Sequence, residues 1–173
     1  RALSVACAEC GPWNIIVLGD PFSAHEPQTL VQMLGEIADA TAIVAVGPKT
    51  VRGTGPILVA VESADRLDAM LRLAERLAGP DDDRAAIHVL PIGETADASH
   101  EIEAQLRLAL GDVRDVAITM PLATLGAADV AIEAVRRAAP GLVIAQAGGA
   151  LINADSSMSA LARALECPII LVR

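Results

Sequence analysis

A chain of 173 residues that is 53% hydrophobic but only 1% aromatic must build its core from Val, Ile, Leu and Ala, which favours buried parallel strands covered by small-residue helices. A formal net charge of -9 and a pI near 4.7 exclude a nucleic-acid surface, which needs clustered Lys and Arg to neutralise phosphate, and disfavour contact with anionic membrane. No stretch approaches the roughly 18 consecutive apolar residues of a membrane span, and the N-terminus lacks a charged region followed by an apolar run.

Taken in chain order, short β-branched runs alternate with amphipathic helical patterns, the signature of βαβ units. The strand-like runs are Asn14 to Gly19, Thr41 to Val46, Pro56 to Val61, Ala86 to Pro91, Val113 to Met120, Gly141 to Ala145 and Pro168 to Val172. After the third run, Ser63 is placed to cap a helix whose apolar positions Leu67, Met70, Leu71, Ala74, Leu77 and Ala78 follow three-and-four spacing, and Gly79-Pro80 ends it. Ile102, Leu106, Ala109 and Leu110 mark a second helical stripe closed by Gly111. Val130, Ile132 and Val135 mark a third before Pro140, and Met158, Leu161 and Leu165 a fourth.

From Pro56 onward the order is β-α-β-α-β-α-β-α-β, which predicts an α/β domain with a five-stranded parallel sheet, right-handed crossovers and helices on both faces. The expected organisation is residues 56–173 as a complete domain, 48–55 as a Gly/Pro-rich linker, and 1–47 as the closing α-β-α-β half of a similar domain. A shift of 127 positions, without a gap, lays the first piece on the end of the second: Leu3 on Val130, Ile16 on Val143, Leu34 on Leu161, Ile43 on Ile170 and Val44 on Leu171. The offset is about one domain long, as duplication of a whole domain requires. Beginning at Arg1, inside a helical pattern and without an initiator Met, the chain is expected to be an excised piece of a longer protein, soluble itself and compatible with attachment to a membrane-bound host.

The segments Gly55 to Ser63, Ile87-His88-Val89-Leu90 and Glu166 to Arg173, in that order and spacing, resemble the first, second and last strands of universal stress proteins. The resemblance covers Pro56 to Arg173 fully and Arg1 to Val46 as the closing half of a tandem partner. It implies a flavodoxin-like sheet of the adenine-nucleotide-alpha-hydrolase kind. In nucleotide-binding members it also implies an acidic residue after the first strand and a Gly-rich loop after the fourth, running Gly-x-x-Gly, nine residues, Gly-Ser/Thr. Glycines let backbone N–H groups approach phosphate, and the following helix N-terminus favours negative charge.

Carried onto this sequence, that pattern offers Glu62 and Ser63 after the first strand, with Gly148, Gly149, Ser156 and Ser157 after the fourth. The second loop is too short for the full motif. Asp155 stands where the second phosphate-binding glycine belongs, which sets a carboxylate against phosphate, and no Lys or Arg lies between Leu142 and Arg163. Asp155 and Ser156 read better as helix caps. The equivalent loop of the first piece, Gly19 to Pro27, loses backbone donors at Pro21 and Pro27.

Other candidate chemistry is sparse. Cys7-Ala-Glu-Cys10 has redox spacing but ends a helical pattern instead of beginning one, and three cysteines form no disulfide framework, which suits a reducing compartment. His25, His88 and His100 are scattered, with His88 on a strand. Asp81-Asp82-Asp83-Arg84 reads as a solvated turn and His100-Glu101-Ile102-Glu103 as an exposed helical face. A receiver domain lacks its clustered acids here, and a flavin site its aromatics, Trp13 and Phe22 being the only two.

The expectation is therefore a non-catalytic, cytoplasmic, bacterial-type stress or regulatory module with no catalytic residues, metal or cofactor. It works by dimerisation, or by pairing of its last strands, Ala42 to Val46 and Pro168 to Val172, within one molecule. The alternative is an ATP- or AMP-binding sensor with at most slow hydrolysis.

Overall fold

The computed structural model describes residues 15–19, 42–46, 55–78, 86–93, 95–110, 116–118, 123–124, 133, 136–146 and 167–172. The described residues form eight strands: β1 (Ile15–Gly19), β2 (Ala42–Val46), β3 (Ile57–Val61), β4 (Ile87–Gly93), β5 (Val116–Ile118), β6 (Ala123–Thr124), β7 (Leu142–Gln146) and β8 (Ile169–Val172). Two helices, α1 (Leu67–Ala78) and α2 (Ala96–Leu110), follow β3 and β4 respectively. The sheet runs β1-β2-β8-β7-β3-β4-β5, with β6 also on β4.

From β8 to β5 every pairing is parallel, which accounts for the unbroken aliphatic runs: a strand covered on both faces needs no polar alternation. Ile57, Val59, Val61, Val89, Leu142 and Ile144 line one face, packed with Leu67, Met70 and Ala74 of α1 and Leu106 of α2. Leu58, Leu90, Val143 and Leu171 on the opposite face are equally buried. Each such side chain contributes about 1.5–3 kcal/mol by leaving water.

The start of α1 is set locally. Ser63 Oγ accepts the N–H of Asp65 at 3.3 Å, opening a single 3-10 turn (Ala64–Arg66) that runs into α1. The expected apolar stripe faces the sheet, joined by a half-buried Leu73.

The face expected to be exposed on α2 requires correction. His100 and Glu101 are exposed, but Ile102 is half-buried and Glu103 is buried. The reason is helical period: Ser99, Glu103 and Leu106 fall on the side that packs against β4. Glu103 tolerates this because Arg107, one turn on, closes over it, donating from Nε at 3.0 Å and Nη2 at 2.6 Å to Oε1. His100 turns back on its own helix, with Nδ1 2.7 Å from the Ala96 carbonyl oxygen.

Strand β4 runs past Pro91 to Gly93, two residues beyond its expected end. On its outer side it pairs with β5 as far as Val89 and with β6 from Ile92. Pro91 sits in the interval, where the outer ladder demands no donor from it. Of the single run expected from Val113 to Met120, the described residues form β5, and a further strand, β6, comes after it.

Beyond β8 the direction reverses. Strand β2 pairs antiparallel with β8: Ala42 with Val172, Ile43 with Leu171, Val44 with Ile170 and Ala45 with Ile169. Strand β1 then lies parallel to β2. Adding 127 to the bounds of β1 gives those of β7, and adding it to Ala42 gives Ile169, the first residue of β8. The same shift maps the antiparallel ladder onto itself, since the pair Ile43 and Leu171 becomes Ile170 and Val44, also a pair. The flanking parallel pairs differ by one residue in register, Ile16 standing by Ile43 but Val143 by Ile169.

A tight approach secures the opposite, amino-terminal end of the β3–β7 pair. Gly141 donates its N–H to the Pro56 carbonyl at 2.9 Å, and any Cβ on Gly55 would fall on the Ala139 carbonyl oxygen. Ala139 reaches this position with φ of 43°, a left-handed conformation that costs an alanine about 1–2 kcal/mol.

Candidate functional site

In an open parallel sheet, ligands bind beyond the carboxyl ends of the strands where the winding reverses. Here the chain passes from β3 outward to β4 on one side and from β7 outward to β8 on the other, so the switch point lies between β3 and β7. Their pairing runs from Ile57 with Leu142 to Val59 with Ile144 and goes no further, although both strands continue to Val61 and Gln146. Glu62 follows β3 at once, half-buried.

Of the candidate residues, the structure therefore places Glu62 and Ser63 at the switch point. Ser63 is already engaged, its hydroxyl accepting from Asp65. Gly148, Gly149, Ser156 and Ser157, with Asp155, lie outside the described residues, as do Cys7, Cys10, His25, Asp81, Asp82, Asp83 and Arg84.

Three further features of this edge were not singled out in the sequence. Thr95 caps α2, its Oγ1 accepting the Ala98 N–H at 3.2 Å while its carbonyl accepts from Ser99 at 3.0 Å. Gly93 ends β4 against that first turn, with no room for a side chain: a Cβ would stand 2.5 Å from the Ser99 nitrogen and 2.7 Å from its Oγ. Asp65, Asp68 and Asp97 occupy the first turns of the 3-10 segment, α1 and α2. The signal for Thr95 was available, a Thr followed by small and acidic residues before an apolar stripe. Gly93 carries no such local mark, because its constraint comes from a helix folded back over it.

The electrostatics follow from those acids. The N-terminal end of a helix attracts anions through its unpaired N–H groups and dipole, and at both helices leaving this edge a carboxylate already answers that field. Arg66, exposed, is the single cation in the first turns of the described helical segments. Among the described residues no group of three or more His, Cys, Asp or Glu gathers in metal-binding fashion, and no helix is long and apolar enough to cross a membrane. Cys167, ahead of β8, is a free, buried thiol whose pKa is pushed up to about 11 by desolvation.

No known family profile matches the sequence, and no curated protein matches it. Solved structures do share the fold. A universal stress protein from Archaeoglobus fulgidus DSM 4304 superposes with a TM-score of 0.60 at 12% identity, over 92% of this chain and 60% of its own. A functionally unknown protein from Pseudomonas aeruginosa PAO1 superposes with a TM-score of 0.58 at 18% identity, over 98% of this chain and 66% of its own. The chain thus has an α/β fold of universal-stress-protein type and spans less than two thirds of the length of either neighbour.

Proposed function

We propose that the chain is a non-catalytic stress-response or regulatory module of universal-stress-protein type, built from two repeats and working by association. Residues 56–173 form one repeat, 1–47 the closing half of another, and 48–55 the connection. The observation that carries this reading is the β2–β8 ladder, which the 127-residue shift maps onto itself. That is the arrangement of an isologous contact, in which the same strand meets its counterpart about a two-fold axis. Through this ladder the sheet continues from β8 into β2 and β1. The greater length of the neighbouring structures accords with a pair of whole repeats.

The acids in the helix first turns favour association over phosphate binding at the switch point, and a buried, protonated Cys167 suits a reducing cytoplasm. Isothermal titration of the chain with ATP and with AMP, each with magnesium, tests this directly. The expected result is no saturable heat and no thermal shift. A Kd below roughly 100 μM, about -5.5 kcal/mol, overturns it in favour of a nucleotide sensor using Glu62 and Ser63 with Gly148, Gly149, Ser156 and Ser157.

A further inference from the structure

The β2–β8 ladder joins segments far apart along the chain. Ala45 pairs with Ile169, the first residue of β8, so β2 ends level with the amino-terminal edge at which β3 begins. In the order β2-β8-β7-β3 those two ends stand three strand spacings apart, about 14 Å. Eight residues, 47–54, lie between Val46 and Gly55, and the nine extended steps they make reach about 30 Å. Length alone therefore does not oblige β2 to choose β8 of its own chain, since β8 of a second copy offers the same ladder.

The direction in which the chain enters β3 does distinguish the two. Gly55 lies against the corner that leads into β7: a Cβ on it would fall on the Ala139 carbonyl oxygen and stand 2.9 Å from the Gly141 nitrogen. One residue on, the Pro56 carbonyl accepts the Gly141 N–H at 2.9 Å. Ala139 presents its carbonyl there in a left-handed conformation, φ 43°, with its own N–H donated to the Arg136 carbonyl at 3.2 Å. The chain thus enters β3 pressed to the β7 side, which is the side on which β8 and β2 lie. A connection held in this way is aimed at its own β2.

We propose that the contact of Gly55 with Ala139 is a latch that keeps the β2–β8 ladder within one chain. Opening it lets β2, carrying β1 with it, pair with β8 of a second copy, so that two chains exchange strands in a closed dimer. This rests on the reading of the ladder as the association contact. Reciprocal exchange remakes every hydrogen bond of the ladder and changes only the path between β2 and β3. The monomer is favoured by the effective concentration of its own strand, and that advantage depends on where the connection points.

The full 173-residue chain and its variants are compared by light scattering over a concentration series. Isotope-filtered NMR on mixtures of labelled and unlabelled chains then reports whether the paired backbones of Val44 and Ile170 belong to one chain or two. The wild type should be a monomer with that pair inside one chain. Gly55→Ala forces the latch open and should raise the dimer association constant at least about tenfold, with the pair now formed between chains. Deleting residues 48–53 leaves the latch but only three steps of chain, about 10 Å against the about 14 Å required; this variant should be an exchanged dimer at every concentration.

A wild-type chain already exchanged overturns the proposal, as does a Gly55→Ala chain that stays monomeric or dimerises without the intermolecular pair. If Gly55→Ala does not fold, Ala139→Gly carries the test, because it relieves the left-handed residue of the latched state. Refolded from urea at high concentration, it should give less exchanged dimer than the wild type, and equal amounts overturn the latch. Exchange in the deletion variant without exchange in Gly55→Ala removes the latch and leaves the association reading standing. A monomeric deletion variant in which Val44 and Ile170 no longer pair refutes the ladder as an association contact and the latch with it, so the two failures are distinguishable.

Discussion

Replacing Gly93 by alanine should destabilise the protein although it adds only a methyl group. The new Cβ would lie 2.5 Å from the Ser99 nitrogen, 2.7 Å from Ser99 Oγ and 2.9 Å from the Ala98 carbonyl carbon, where ordinary contact begins near 3.4 Å. Two of those three atoms are backbone, fixed by the hydrogen bonds of Ala98 and Ser99 to Thr95, so relief requires the whole first turn of α2 to retreat. Overpacking of this kind costs about 1–3 kcal/mol, and the lower entropy of the unfolded alanine chain returns about 0.4–1 kcal/mol. The net expectation is a loss of about 1–2 kcal/mol.

Urea denaturation followed by circular dichroism should show a lower midpoint at unchanged slope, and thermal melting a Tm lower by about 3–6 °C for a chain of this size. Adding Ser99→Ala removes one of the three contacts and leaves the backbone pair, so the double variant should remain less stable than Ser99→Ala alone. A Gly93→Ala protein as stable as wild type would refute the claim that β4 and α2 are locked at this point.

Ala139→Gly should act in the opposite direction, relieving the left-handed alanine at φ of 43° at some cost in unfolded-chain entropy, for a net gain of about 0.5–1 kcal/mol measurable in the same melts. The Cys167 thiol holds its proton to about pH 11 when folded and to about 9.0 otherwise. Above the lower value the unfolded chain has lost a proton that the folded chain keeps. Stability should therefore be fully present below pH 9 and fall by up to about 2–3 kcal/mol as pH rises toward 11; a Cys167→Ser or Cys167→Ala protein should lack this alkaline component.

Most of the strand plan was legible because a parallel strand buried on both faces writes itself as a short aliphatic run. Ile57–Val61 and Leu142–Gln146 fall within a residue of their expected bounds. The cap at Ser63 and the stripe of α1 follow from equally local rules. Glu103 was misread for a physical reason. Burial of a carboxylate is paid for by Arg107 on the next turn, and sequence pattern registers the charge before the partner.

The sequence by itself determined the class of fold, the 127-residue correspondence of hydrophobic positions and the aliphatic run at Ile15–Gly19, since these are set by hydrophobic period and spacing along the chain. Only the tertiary structure decided that β2 meets β8 antiparallel, that Pro91 falls in a gap between two outer strands, and that Gly93 lies under the first turn of α2. Each of these depends on segments distant in sequence, or on the direction in which a chain turns back, and the pairing preferences of neighbouring residues carry no record of either.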